Sequence, residues 1–467
     1  MNIQKIKEKK ISVLISCILA VVSIIVIIGF IMLIRHSGEN KHNNGYTETA
    51  INEDNTTDNV AEDTTEDTPD NTPDNTAGNT PDNTSNNTSD NTPEIKITVD
   101  NTTEDTTEDT TTSVTNLTID EQVEMLLQSM TLEEKVYQMI IVAPEQLTGY
   151  ASVTAAGETT RQCLVKYPVG GLIYFANNIV TPNQTQTMIS NTQKYAMEIE
   201  NIPLFICVDE EGGRVARIGN NSAFNVESFN SMSTIADEIQ AYHVGDTIGR
   251  YLNQYGFNFD FAPDADVITN PDNTVIGDRS FGTDADKVTK LAIAVSNGLR
   301  ANNVLSTFKH FPGHGATEGD THEGFAYTNK TYEELLKSEL KPFMAAGTKD
   351  VDAVMVAHIS VPNIVGDNTP CTLSEKMITD ILRGDLNYQG LIVTDALNMK
   401  AITNLYTSSE AAVLAVKAGN DILLMPDNFK EAAAGVINAV ARGEISEERI
   451  NESVRRIINK KITLQEN

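Results

Sequence analysis

The stretch LFICVDEEGGRVAR, Leu204–Arg217, decides the fold. Five apolar residues without polar alternation run straight into three acids and a glycine pair. A run that is apolar on both faces suits a strand buried from either side in a parallel sheet. The pattern recurs along the chain. Further strands are expected near Met139–Val142, Gly171–Phe175, Phe257–Phe261, Val304–Phe308, Ala353–Val356, Leu391–Thr394 and Ile422–Leu424, beside Leu204–Val208 itself. Helical patterns fall between them, at Asn183–Glu200, Ser233–Tyr255, Ala285–Ala301, Tyr332–Ala346, Ser374–Leu386 and Ser408–Ala418. Eight strand–helix units in this order predict an α/β fold of the TIM type, a (β/α)8 barrel, with an open doubly wound sheet as the alternative. In such barrels the reacting groups stand at the carboxyl ends of the strands. Polar residues cluster at those ends here: Asp209 to Arg214, Asp264 and Asp266, Lys309 and His310, His358, and Asp395.

Outward from this core, composition divides the chain. Residues 117–467 carry the barrel pattern. Residues 36–116 are built from Thr, Asn, Asp and Pro, with TPDNT starting at Thr68, Thr72 and Thr80, and hold too little apolar surface to fold. They are expected to form an extended, disordered linker. Residues 1–35 place Lys5, Lys7, Lys9 and Lys10 before 24 uncharged residues, Ile11–Ile34. About 20 apolar residues span a bilayer, so a retained transmembrane helix is expected, with the lysines in the cytoplasm and the barrel outside a single cell membrane. The alternatives are a lipid anchor at Cys17, from Leu14-Ile15-Ser16-Cys17, or secretion after cleavage. The formal charge of −31, much of it in the linker, excludes a nucleic-acid partner. Four widely spaced cysteines make no disulfide framework, and the lack of Trp argues against an appended sugar-stacking module.

Four motifs carry chemistry. The densest is KHFPGHGATEGDTHEGF, Lys309–Phe325, with three of the chain's 7 histidines. In it Asp320 stands two residues before His322, where a carboxylate can orient an imidazole and favour its charged form. Such a histidine can give a proton to a leaving oxygen and later take one from water. A metal site and a purely structural loop are the other readings, although His310 and His314, split by Phe311-Pro312-Gly313, do not share a helical face. In LIVTDALNM, Leu391–Met399, Asp395 follows a strand and precedes a helical segment, the position of a nucleophile or of a helix cap. In DEEGGRVAR, Asp209–Arg217, Asp209 can accept and Arg217 can donate hydrogen bonds to hydroxyls. In VIGDRSFG, Val275–Gly282, Arg279 either reaches a ligand or pairs with Asp278 in a loop.

Taken together and in this order, with MTLEEKVYQM at Met130–Met139 as an opening helix, these motifs resemble glycoside hydrolase family 3, and within it the single-domain β-N-acetylglucosaminidases of the cell-wall-recycling type. The resemblance covers the third region and neither the anchor nor the linker. It implies a barrel, with Asp395 as nucleophile, His322 as general acid/base and Asp320 as its partner. It implies that Asp209, Arg217, Arg279, Lys309 and His310 hold the sugar at the non-reducing end. Ala396 stands where broad β-glucosidases of the family carry Trp, and no stretch is left for their second domain, which points to the hexosaminidase branch. Glu210 stands where the family often has Gln, and is expected to add negative charge near the site. The reaction implied is retaining exo-hydrolysis of β-linked N-acetylglucosamine from wall-derived or chitin-type glycans, by a monomer needing neither metal nor other cofactor. A β-glucosidase-like activity, a metal-dependent barrel hydrolase and a non-catalytic surface sugar binder are the competing expectations.

Overall fold

All eight apolar runs form short strands: β1 Ile140–Val142, β2 Gly171–Ile173, β3 Phe205–Val208, β4 Phe259–Asp260, β5 Thr307–Phe311, β6 Ala353–Val356, β7 Leu391–Thr394 and β8 Leu423–Leu424. The computed structural model describes residues 117–349 and 351–466. The anchor and linker expected at 1–35 and 36–116 lie outside the described residues, and among the described residues no helix is long and apolar enough to cross a membrane.

Every strand residue is buried, as continuous apolar runs require. The strands are parallel and lie in two sheets, ordered β4-β3-β2-β1-β8 and β5-β6-β7. The sheets touch at both ends of this order. Parallel bridges Phe259–Leu305 and Asp264–Lys309 join the β4 side to β5, and Val393–Ile422 joins β7 to the residue before β8. Backbone hydrogen bonds run through these seams, from Asp260 N–H to the Leu305 carbonyl at 2.9 Å and from Thr394 N–H to the Ile422 carbonyl at 3.0 Å.

Helices fill the connections, and their limits follow local chemistry. Thr131 and Glu134 form a capping box that starts Leu132–Gln138, and Thr407 with Glu410 starts Ser408–Ala418. The helix expected from Ser233 begins instead at Glu238, because the Asp237 carboxylate accepts the Ile239 and Gln240 N–H groups and fixes the N-terminus there. The stretch expected as one helix over Tyr332–Ala346 is two, Tyr332–Leu335 and Lys341–Ala346, with Pro342 in the first turn of the second. Within Ser374–Leu386, residues Lys376–Asp385 wind as a π-helix. Glu238–Tyr255 and Ala285–Arg300 meet backbone to backbone at Gly245 and Gly298, where any Cβ would collide with the facing main chain.

Candidate active site

Seven strands end in loops that surround one cavity of about 610 Å³, and all eight residues singled out in the sequence line it. Asp209 and Glu211 enter from the end of β3, Arg217 from the turn that follows, and Arg279 from the loop after β4. Lys309 and His310 belong to β5, Asp320 and His322 to the loop beyond it, and Asp395 directly follows β7.

The floor on one side is a network of buried charges. Lys309 Nζ lies 2.6 Å from Glu211 Oε1 and 3.0 Å from Asp209 Oδ1. Arg279 grips Glu211 with two hydrogen bonds of 2.8 Å, from Nε and from Nη2. Arg279 therefore reaches the cavity, and its neighbour Asp278 pairs instead with Arg214 at 3.3 Å and with Ser231. Burial opposes the Glu211 charge, but Lys309 and Arg279 outweigh it and hold the carboxyl below its usual range. Asp209 Oδ2 lies 3.6 Å from Arg217 Nη2, whose guanidinium also lies over the Phe175 ring at 5.9 Å. The Arg217 Nε is buried with no hydrogen-bond partner.

Glu210 does not add charge to the cavity. It is buried and turned away, accepting the N–H groups of Arg217, Ile218 and Gly219 and the Tyr251 hydroxyl at 2.5 to 3.0 Å. Burial raises its pKa. Its role is to tie down the turn that carries Arg217. Along the extended chain past β3, side chains alternate sides, so Asp209 and Glu211 share one face and Glu210 takes the other. That period was the signal available in the sequence for both Glu210 and Glu211.

Behind Lys309 lies a second buried layer. Asp266 Oδ2 accepts the His310 Nδ1–H at 2.7 Å, and its Oδ1 accepts the His314 N–H at 2.5 Å. Asp264 Oδ2 lies 3.6 Å from Arg279 Nε and 4.0 Å from His310 Nδ1, with no hydrogen bond of its own. Burial and the adjacent Asp266 raise the Asp264 pKa, whereas His310 holds Asp266 ionised against burial. Asp264, Asp266 and His310 approach closely enough to share a cation. The Arg279 guanidinium already supplies positive charge at that point, and a metal ion beside it and Lys309 would meet repulsion.

Asp395 faces this network. Its own N–H donates to the Val356 carbonyl at 2.9 Å, and the Ala396 N–H donates to its Oδ1 at 2.8 Å. Burial works against its charge, but the neighbouring His358 and His310 rings and the Ala396 N–H prevail, leaving its carboxyl below the ordinary range. His358, buried at the end of β6, holds the Ala396 carbonyl through Nε2 at 2.9 Å and so fixes the turn that aims Asp395. Asp395 is not a helix cap: the next helix begins at Lys400 after Met399.

The Asp320–His322 pair forms as expected, with Nδ1 at 2.8 Å from Asp320 Oδ1, which also accepts the His322 N–H at 2.8 Å. The His322 side chain is 64% exposed, in contrast to the buried network. Gly319 and Gly324 flank the pair at φ +88° and +156°, values that side-chain-bearing residues rarely adopt. Thr321 ties this loop to His314, and Gly315 holds the loop base against the Val267 carbonyl, where a Cβ would not fit.

An ionised carboxylate and a carboxylate-supported imidazole, set beside donors and acceptors for many hydroxyls, are the kind of groups that cut a glycosidic bond. The chain belongs to glycosyl hydrolase family 3, whose N terminal domain matches residues 131–460. It is 33% identical over 338 residues to a Beta-hexosaminidase A of Pseudoalteromonas piscicida, covering 67% of this chain and 56% of that protein. It is 33% identical over 283 residues to a Beta-hexosaminidase of Idiomarina loihiensis, covering 60% of this chain and 82% of that protein. A glycoside hydrolase family 3 beta-N-acetylglucosaminidase from Paenibacillus sp. superposes with a TM-score of 0.68 at 37% identity, over 72% of this chain and 63% of that one. The chain thus spans little more than half the length of the first of these relatives.

Proposed function

We propose that this protein is a retaining exo-β-N-acetylglucosaminidase, and that its strands close into a (β/α)8 barrel. The closure rests on the parallel bridges at both seams between the sheets. The names carried by the relatives support the substrate class. The observation that carries the mechanism is that Asp395 and the Asp320–His322 pair line the same cavity as the Lys309–Asp209–Arg217 cluster.

Asp395 attacks the anomeric carbon while His322 gives a proton to the departing oxygen, so the C–O bond breaks as the glycosyl–Asp395 ester forms. His322, now neutral, takes a proton from water, whose oxygen displaces Asp395 and releases the sugar with its original configuration. Asp320 accepts the Nδ1–H and keeps the ring oriented. Lys309, Arg279, Arg217, His310 and Asp209 hold the hydroxyls, which fixes the reacting carbon against Asp395. The open position of His322 suits a loop that closes over substrate, since catalytic contacts tighten in the bound state.

The assignment is tested by hydrolysis of an aryl β-N-acetylglucosaminide against the matching β-glucoside. Preference for the glucoside moves the protein to another branch of the family, and no turnover of either leaves a sugar binder. His322→Ala separates the acid role from the rest. With a nitrophenyl leaving group that needs no proton, formation of the glycosyl enzyme is expected to survive, while with an alkyl or sugar leaving group kcat/KM falls by about 10²–10⁴. Equal losses on both remove His322 from the role. Activity is expected to survive chelators, since the chemistry runs on side chains alone. Inhibition by EDTA reversed by zinc would support the metal-dependent alternative.

We also propose that the Ile11–Ile34 run anchors the enzyme as a monomer with the barrel outside the membrane. The lysines before that run and its length support this reading. Protease treatment of intact cells that fails to release activity opposes it.

A further inference from the structure

Asp266 is completely buried and lies outside the cavity lining, yet it is bonded to a residue that lines it. Its two oxygens are both engaged. Oδ1 accepts the His314 N–H at 2.5 Å, and Oδ2 accepts from His310, through Nδ1 at 2.7 Å and through the backbone N–H at 3.3 Å. On the other edge of the His310 ring, Nε2 lies 3.3 Å from Arg279 Nη2. A guanidinium can only donate, so that contact requires a lone pair on Nε2. The ring proton is then on Nδ1, where Asp266 takes it.

We propose that Asp266 is a positioning residue that fixes His310 in the Nδ1–H tautomer, so that His310 Nε2 accepts from Arg279 and holds that guanidinium in place at the sugar site. This rests on the cavity being the sugar site proposed above. With the proton on Nε2 instead, the ring would set an N–H against the Arg279 donor and push the guanidinium out of place. Two influences compete over the charge of His310. Burial lowers its pKa and the Asp266 carboxylate more than restores it, whereas a second proton would set two donors, Nε2–H and Arg279, against each other. The direct contact decides, because an Nε2–H at 3.3 Å from a guanidinium gains nothing and loses the hydrogen bond. The other groups facing the ring are Asp264, 4.0 Å from Nδ1, and the His314 ring, edge-on at 5.9 Å between centroids. Asp264 shares the Nδ1 side and does not alter which nitrogen faces Arg279.

Asp266→Asn discriminates sharply. An asparagine has one carbonyl oxygen for two donors. If that oxygen stays on the His314 N–H, its amide group points at His310 Nδ1 and forces the proton to Nε2, the wrong tautomer. The expected result is a fall in kcat/KM of about 10–100-fold, comparable to the loss of other partners that orient a functional histidine. The decisive measurement is a double-mutant cycle on the full chain. If Asp266 acts through His310, Asp266→Asn costs nothing further in a His310→Gln background. A loss of equal size in both backgrounds shows that Asp266 supports the fold alone and overturns the proposal. Long-range nitrogen-15 spectra of histidine-labelled protein, with His310 assigned by His310→Gln, read the tautomer directly. Nδ1–H in the wild type and Nε2–H in Asp266→Asn are expected, and Nε2–H in the wild type overturns the inference even if the variant does not fold. Absence of turnover by the wild type would remove the functional reading but leave this spectrum to judge the tautomer.

Discussion

Asp395→Asn is expected to leave the protein folded and to lower kcat on an aryl β-N-acetylglucosaminide by about 10⁴-fold or more, roughly 5.5 kcal/mol of activation energy. The fold is preserved because Asn keeps the volume, the backbone hydrogen bond to Val356 and an oxygen for the Ala396 N–H. Turnover is lost because an amide is a poor nucleophile and the covalent route has no substitute. Asp395→Gly makes a sharper test. With room opened beside the sugar, azide in place of the carboxylate is expected to restore cleavage of an activated substrate and give a glycosyl azide of inverted configuration. A single displacement inverts the centre, so that product would show that the wild-type route inverts it twice. Near-normal activity of Asp395→Asn, or a failure to trap any adduct on Asp395 with a slow fluorosugar, ends the mechanism.

How far this site could be read from the sequence depends on how local each feature is. The β-branched runs that became β3, β6 and β7 announce themselves, because burial on both faces demands continuous apolar residues. The Asp320–His322 pair is two residues apart and forms within its own loop, so motif reading reached it. Asp266 and Glu211 are different. Their partners His310, Lys309 and Arg279 come from another strand or the loop after one, and only tertiary folding brings them together. Glu210 was misplaced for a related reason: one step along an extended chain reverses the side on which a carboxylate emerges. Helix lengths erred where a single capping group decided them, as at Asp237 and Pro342, since the periodicity on either side of those residues is continuous.

Glu211 is where these nonlocal contacts have the largest expected effect on stability. Its side chain is 1% exposed and is the shared partner of Lys309 and Arg279, themselves nearly buried. Removing one member of a buried ion network leaves the others charged and uncompensated, which costs more than the intact network contributes. Asp209 and Asp264 remain near the two cations but at 3.0 Å and 3.6 Å, and neither can replace the paired grip on Arg279. Glu211→Gln is therefore expected to destabilise the domain by about 3 kcal/mol or more, a Tm decrease on the order of 4 °C or more. It should also raise KM, as Lys309 and Arg279 lose the anchor that aims them at substrate. The pH dependence gives an independent sign. The folded pKa of Glu211 lies below its ordinary 4.5, so the unfolded chain takes up the proton first. Its stabilising contribution is complete above about pH 4.5 and is lost as pH falls below that value toward the folded pKa. The wild type should thus lose Tm more steeply than Glu211→Gln on acidification below pH 4.5, and the two curves should converge. Parallel Tm curves across that range, or a variant as stable as the wild type at neutral pH, would mean that water rather than Glu211 carries the charge of Lys309 and Arg279.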